Sequence, residues 1–490
     1  MIKLLRLSLC VFSVVCTLLF QQALAQQGFA SVTRLNSLPI AYSTKEKAQA
    51  KVWKHAGYWW SVLADSTGTQ IFRLEGASWT PVLNLVNTDA KADHWMVNNV
   101  VHILLYKGGN NNSFLYSIEY DSSSKTYKLW NKRPERVRLV FPSGSEFATL
   151  TVDGKGRMWV AYGGVGEVNV RWSDAPYTTW SAPVNLAKGI KDDDVCAITK
   201  LPGRIGVLWS NQKTGLFGFK THLDNRAPTD WSADEVPASQ SAINGLPRMA
   251  DDHMNFKVAS DGTLYCAVKT SYTSNDYPLL ALLVRRPGGK WDNLYQVTSH
   301  EAGGTQPVVI LNETMGRIKI VYTTVVNGGD IVYRESSTSK IAFGDARVLI
   351  SGGGHLYNYA TTTHQAYDKD VVILATNLST IPYQAMGVLA MDSEFEQRGN
   401  RPSLLNFFAA FPNPFTSTTT LSFNPAQEGA FTLALHDSKG VKVSVLKQGV
   451  AKMGEVYTIN VDETALQRGI YYAVLQMGKE VQSLKILFIK

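Results

Sequence analysis

The densest run of chemically useful side chains is ADDHMNFK, residues 250–257, with two adjacent carboxylates, an imidazole, an amide and an ammonium. Alternation along an extended strand sends His253, Asn255 and Lys257 to one face, with Asp251 and Asp252 just ahead of it. Similar polar groups recur along the chain, each just before or within a short apolar run. They are ADHW (Asp93, His94), SEF (Glu146), KDDDV (Asp192, Asp193, Asp194), GGTQP (Gln306) and GHLYNY (His355, Tyr357).

Three chemistries suit these residues. Glycoside hydrolysis needs two carboxylates flanking a sugar, one held protonated, and Asp194 and Asp252 are the candidates. Elimination from a uronate needs a base such as His253 or a tyrosine, with a cation or Lys257 to neutralise the sugar carboxylate. The third use is structural: carboxylates at strand entries bond loop backbone, or bind calcium through oxygen ligands. The resulting assignment is Asp252, His253 and Asp194 as catalytic, and Asp93, His94, Glu146, Asp251, Asn255, Lys257, Gln306 and Tyr357 as ligand-binding. His94, His253, His355 and His364 lack metal-ligand spacing, and there is no P-loop, GxGxxG or GxSxG. Calcium is the one ion the acidic entries would suit; no other cofactor is implied. Trp59, Trp95 and Tyr359 offer rings on which a sugar could stack.

These groups must be positioned by a repeat. Trp79, Trp130, Trp180, Trp231 and Trp291 follow one another at intervals of 51, 50, 51 and 60 residues, Phe343 follows 52 later, and Phe29 lies 50 before Trp79. Ahead of six of them stands a strong strand: WWSVLA, HILLY, MWVAY, GVLWS, LYCAV and KIVYT; a seventh, VVILAT, has no later aromatic partner. Further strands such as QIFRL, EVNVRW and IVYRES lie between. Short strands repeating about every 50 residues predict a β-propeller. The last unit lacks an outer strand and Phe29–Leu35 is an outer strand without a unit, so joining them closes a ring of seven blades. The loops entering the innermost strands then open on one mouth of the central channel, where the residues named above gather.

VRWSDAPYTTWSAPVNL, residues 170–186, resembles the Asp-box of sialidase-like propellers at Ser173, Asp174, Thr179 and Trp180, with Pro176 or Tyr177 in the glycine region. Physically the box is a turn in which Asp and Ser bond local backbone. The resemblance implies fold. Sialidase chemistry would need three arginines and a Tyr/Glu pair, and Ser37 stands where the first arginine would be. Arg171, Arg285 and Arg334 end third strands instead.

The N-terminus pairs Lys3 and Arg6 with an apolar run from Leu7 to Phe20 and a small-residue site ending at Ala25, the pattern of a secretory signal over 1–25. The run is too short to span a bilayer, and no later stretch does better. Removing Lys3 and Arg6 lowers the formal charge from +8 to +6, with no basic cluster of nucleic-acid type. Of four cysteines, Cys196 and Cys266 remain in the mature chain, either bridged or as buried thiols.

Beyond residue 396 the pattern changes to a polar joint, 397–408, and then FPNPF (411–415), TTLSF, AFTLALHD, VKVSVLKQ, EVYTINV, GIYYAVLQM and VQSLKILFIK. HDSKGVKV marks a hairpin turning on Gly440, and QRGIYYAVL repeats the device with Gly469. The pattern predicts a small β-sandwich. FPNPF, the Asp-x-x-Gly hairpin, Gly449 and Gly454, LQRGIYYAVL and the lysine-bearing end closing on Lys490 together resemble the type A C-terminal sorting domain of the type IX secretion system of Bacteroidetes-type bacteria. That resemblance, over 409–490, implies export across both membranes, secretion machinery as partner, and release or surface attachment. The expected organisation is a signal peptide (1–25), an all-β propeller (26–396), a linker (397–408) and a sorting domain (409–490). The expected function is binding or processing of extracellular glycan, with adhesion as the non-catalytic rival.

Overall fold

The computed structural model describes residues 28–45, 48–241, 249–392, 405–425, 428–438, 440–478 and 480–489; the signal sequence expected over 1–25 lies outside them. Its contacts divide the chain into two compact units, Met1–Glu394 and Phe395–Lys490. Apart from two three-residue 3-10 turns, every regular element among the described residues is a β-strand, and none is a helix able to cross a membrane.

The first unit is a β-propeller of seven antiparallel sheets. Blade 1 runs through Val52–His55, Tyr58–Asp65, Gly68–Glu75 and Ser78–Val86. The innermost strands of blades 2 to 7 are Lys91–Val97, Ala148–Val152, Cys196–Leu201, Met254–Val258, Thr305–Asn312 and Tyr357–Thr361. Within a blade the strands pair in sequence order, as hairpin connections require, except in blade 2, where Thr126–Leu129 and Val137–Val140 both pair with Asn112–Asp121. Second strands such as Met158–Gly164 are buried throughout, because each is covered by a blade on both faces. That double burial explains why they read as unbroken apolar runs.

Blade 7 takes its outer strand from the other end of the chain. Phe29–Ile40 pairs antiparallel with Tyr383–Asp392, Phe29 opposite Asp392 and Ile40 opposite Tyr383. The closing strand is longer than the expected Phe29–Leu35. Blade 4 also departs from expectation: it has three regular strands, and Glu235 bridges Phe219 where a fourth would pair. The Asp-box turn lies between the third and fourth strands of blade 3, with Ser173 Oγ donating to the Thr179 carbonyl at 2.6 Å and Arg157 paired with Asp174. Cys196 and Cys266 are free, buried thiols, and burial pushes both well above the ordinary thiol range.

The seam of the ring is ionic. Lys319 Nζ, on the second strand of blade 6, meets Asp392 Oδ1 at 2.7 Å and Glu335 Oε2 at 3.2 Å, with all three side chains under a tenth exposed. Asp392 also accepts from Tyr367 Oη and Asn312 Nδ2, while Glu335 Oε2 accepts from the Gly28 amide.

The second unit is a β-sandwich. Leu405–Phe411, Thr418–Pro425 and Tyr457–Asp462 form one sheet; Lys442–Ala451, Gly429–Asp437, Gly469–Met477 and Glu480–Phe488 form the other. Phe415, Phe423, Phe431, Leu433, Leu475 and Phe488 are part of its core. Residues 397–404 of the expected linker lie outside the described residues, and 405–408 belong to a strand, not to a linker. Gly440 takes the positive φ of +82° that its turn requires. Gly469 does not repeat this device: it opens a strand and pairs with Phe488.

Removing the seam cation would leave Asp392 buried without its counter-charge and Glu335 with Arg317 Nη1 alone, at 3.4 Å. We expect Lys319→Met to destabilise the first unit by about 3–5 kcal/mol. All 12 tryptophans lie between Trp53 and Trp291, so urea unfolding followed by tryptophan fluorescence reports on this unit alone. A loss under about 1 kcal/mol would remove the seam's assigned role.

Candidate functional site

The innermost strands are stitched blade to blade by a recurring contact. A polar side chain early in one strand accepts a backbone N–H from the next blade: Asp93 Oδ2 from Leu150 at 3.1 Å, Thr149 Oγ1 from Ile198 at 3.0 Å, and Asn255 Oδ1 from Val309 at 3.0 Å. Asp93 Oδ1 takes the Ala50 amide of blade 1 at 3.0 Å as well. A backbone N–H facing the axis needs a partner away from water, and these side chains supply it. Asp93 and Asn255 therefore hold the ring together.

Past this layer, at the exit ends of the innermost strands, lies a cavity of about 390 Å³. Its walls include His94, Trp95, Lys200, Phe256, Lys257 and His364. This cavity lies toward the opposite end of the channel from the strand entries at which the sequence places the candidate groups. The alternation expected for 253–257 holds, but the strand begins at Met254, leaving His253 at the entry while Lys257 reaches the exit.

His364 Nε2 lies 2.8 Å from Asp93 Oδ1. A carboxylate accepting at Nε2 fixes the tautomer, so the neutral ring carries its free lone pair on Nδ1. Beside it, His94 Nδ1 sits 2.9 Å from the Ala50 carbonyl, and the two imidazole centroids are 5.4 Å apart. Burial, reinforced by the neighbouring His364, lowers His94 to about 3, so it is uncharged at neutral pH. Lys257 Nζ donates to the Thr363 carbonyl across the axis. Burial lowers its pKa to about 7, opposed by the attraction of Asp93. Trp95 packs against His364 with ring centroids 5.5 Å apart.

The arrangement comprises an imidazole base oriented by a buried carboxylate, an ammonium that can shed its proton near neutrality, and aromatic walls. Of the residues singled out in the sequence, His94, Trp95 and Lys257 line this cavity, with Asp93 behind them. His364 completes it. Sequence spacing offered no sign of His364, which lies beyond its strand in a loop of blade 7. The one available signal was Asp93-His94 itself, an ionisable pair inside a strand, where such groups stay buried only when partnered.

The remaining candidates are elsewhere. Asp194 is buried with both oxygens engaged, accepting from Ser210 Oγ and from the amides of Lys191 and Gln212. It organises its own loop. His253 Nδ1 lies 2.7 Å from Asp251 and 2.6 Å from Asp252, so Asp251, not Asp194, is the carboxylate grouped with Asp252. Gln306 Nε2 closes on His253 Nε2 at 2.9 Å, and Lys269 Nζ lies 3.1 Å from Asp251. Asp251, Asp252 and His253 bring ligand atoms within 4.8 Å of one another and could hold a metal ion. A set containing imidazole suits a borderline transition ion better than calcium, which takes oxygen ligands. Tyr357 is buried in the core, whereas Glu146 is exposed. Tyr359 is half-buried, with Lys45 Nζ 5.7 Å from its ring centroid. Arg171, Arg285 and Arg334 bond outer-strand partners (Ser181, Glu235 and Gly344) and form no carboxylate clamp.

Residues 409–490 match the family described as the secretion system C-terminal sorting domain. The chain therefore carries a type IX sorting domain, which addresses it to the exterior or the cell surface and to the secretion machinery. No curated protein is similar in sequence. Similar solved structures include a fungal alcohol oxidase of the AA5 family in complex with copper, 12% identical over 93% of this chain and 99% of that one, TM-score 0.47. An ulvan lyase of polysaccharide lyase family PL25 is 10% identical over 73% of this chain and 96% of that one, TM-score 0.49. The Dos1 propeller is 8% identical over 68% and 75% of the respective chains, TM-score 0.40.

The buried histidines make the fold acid-sensitive. His94 and His102 are each lowered to about 3, so between about pH 6.5 and 3 the unfolded chain binds protons that the folded chain refuses. Stability must fall as pH falls through that window. We expect the unfolding midpoint in urea to drop steadily below pH 6.5, and the His102→Gln variant to show a shallower drop than the parent. Equal slopes would show that His102 does not contribute.

Proposed function

We propose that the propeller binds an acidic extracellular polysaccharide in the exit-end cavity and cleaves it by elimination. The observation that carries this reading is the Asp93–His364 pair on the wall of a cavity that also presents Lys257. Trp95 and Phe256 provide apolar surface against which a pyranose ring can lie. Lys257 in its ammonium form, with Lys200 nearby on the wall, pairs with the sugar carboxylate and stabilises the charge that develops as the adjacent ring C–H is broken.

His364 Nδ1 takes that proton. The electron pair left behind forms the ring double bond, the neighbouring glycosidic C–O bond breaks, and the departing oxygen takes a proton from the His364 imidazolium. Asp93 supports the transient imidazolium without being consumed. Hydrolysis suits the cavity less well. Asp93 is enclosed by two amides and an imidazole, and Glu313 accepts both the amide and the hydroxyl of Ser260, so no two carboxylates face each other across the space.

The test is a panel of alginate, polygalacturonate and glycosaminoglycans offered to the full mature chain, scored for binding and for unsaturated uronate by ultraviolet absorbance. Parent protein should release unsaturated product. His364→Ala should bind the same polysaccharide but turn it over about 10²–10⁴-fold more slowly. Binding without product in the parent would leave a lectin, and no binding would sink the glycan reading altogether.

The ammonium gives a second check. Affinity for the acidic ligand should fall by up to about tenfold per pH unit above about pH 7, as Lys257 loses its proton. Lys257→Met should bind about tenfold or more weakly at pH 6 and lack that slope.

A further inference from the structure

A second cavity, of about 470 Å³, adjoins the first and shares Gln365 and Ala366 with it as common wall. The partition is the loop between the first two strands of blade 7. One side of it supplies the Thr363 carbonyl that receives Lys257 and the His364 ring of the first cavity. The other side supplies Tyr367 and Asp370 to the second. Gln365 fixes the partition in place: its Oε1 accepts the backbone N–H of Lys54 of blade 1 at 3.3 Å, and its backbone N–H donates to Thr363 Oγ1 at 3.0 Å.

The second cavity also brings a tryptophan and an ammonium together, here beside the carboxylates of Asp368 and Asp370. Trp59 supplies an aromatic wall, held by a 2.5 Å bond from its Nε1 to Asp370 Oδ2. Lys54 supplies an ammonium, paired with the same Asp370 and 5.6 Å from the Trp59 ring centroid. Each space is of the order that takes about one or two sugar rings. An aromatic surface with an ammonium, repeated on both sides of one loop, matches a ligand whose own chemistry repeats along its length.

We propose that Trp59 and Lys54 form a second subsite, so that an acidic polysaccharide lies across the blade 7 loop as an internal stretch of chain and not as a chain end. This rests on the reading of the first cavity as an acidic-glycan site. It adds that the substrate is a polymer engaged at two successive positions, which makes cleavage internal to the chain.

The experiment is calorimetric titration of the full mature chain with oligomers of galacturonate, of mannuronate and of hyaluronan, at two and at six sugars. The hexamer should bind at least about tenfold more tightly than the dimer, about 1.4 kcal/mol. Lys54→Ala should remove most of that ratio; the side chain is 42% exposed, so its loss is compatible with folding. Trp59→Phe, which keeps the ring and loses the bond to Asp370, should reduce the ratio less. Equal affinity for dimer and hexamer, or a ratio unchanged in Lys54→Ala, would overturn the second subsite while leaving the first standing. Failure of both lengths in every series to bind would overturn both.

Discussion

The closure of the ring centres on one buried ammonium, Lys319, with Arg317 as a second partner of Glu335. Lys319 holds Asp392, the last described residue of the propeller, and Glu335, which accepts the amide of Gly28, the first. A propeller is a sheet stack closed on itself, and until its two ends meet it exposes the strand edges that invite aggregation. Backbone pairing of Phe29–Ile40 with Tyr383–Asp392 supplies the ladder. The ionic seam fixes where that ladder begins, because a buried charge tolerates no shift of register that would separate it from its partners. Once the outermost strand of blade 7 is fixed, the blades on either side are held at the spacing that lets seven innermost strands converge on one axis.

Convergence creates the problem that the site exploits. Seven strands meeting at an axis bring backbone N–H groups into a space too narrow for bulk water, and those groups need acceptors. Thr149 and Asn255 supply uncharged ones. Asp93 supplies a charged one, and its carboxylate still has capacity for the His364 ring after accepting from Ala50 and Leu150. The group that stitches blades 1, 2 and 3 is thus also the group that orients a base from blade 7. On the proposed reading, stability and chemistry share an atom here; the amides and imidazole that Asp93 accepts from explain why a carboxylate is tolerated at a position with no solvent exposure.

The fold was largely legible in the sequence because the repeat is a packing requirement. Each blade needs an apolar second strand and an aromatic near its outer edge, and Trp79, Trp130, Trp180 and Trp231 record that need at nearly constant spacing. The exception is informative: the 60-residue interval ending at Trp291 follows blade 4, where Glu235 bridges Phe219 in place of a fourth regular strand. The site was legible in part. His94 and Lys257 stood out as ionisable groups inside strands. Asp194 and Asp252 looked equivalent to them, since sequence does not distinguish a carboxylate folded back on its own loop from one facing the axis. His364 was hidden because its proposed role depends on Asp93, 271 residues away, and only closure of the ring brings the two together. In the sorting domain, Pro-Asn-Pro reads as a boundary. The structure gives Asn413 a further use: its amide donates to the Lys485 carbonyl and its Oδ1 accepts from Leu487, clasping the start of the domain to its last strand.

The two polar clusters along the channel differ in how their charges are answered, and that difference decides between them. At the strand entries His253 lies against Asp251 and Asp252 on one nitrogen and Gln306 on the other, while Lys269 meets Asp251. A ligand arriving there must displace bonds already made between opposite charges. At the exit end Lys257 donates to a neutral carbonyl, and the carboxylate nearest in effect, Asp93, is already engaged by His364 and two amides. Burial without a dedicated counter-ion is what depresses that lysine, and an incoming carboxylate would relieve it. A negatively charged ligand therefore gains more beside Lys257, where it completes an unfinished ion pair, than at the entries, where it would have to compete with finished ones.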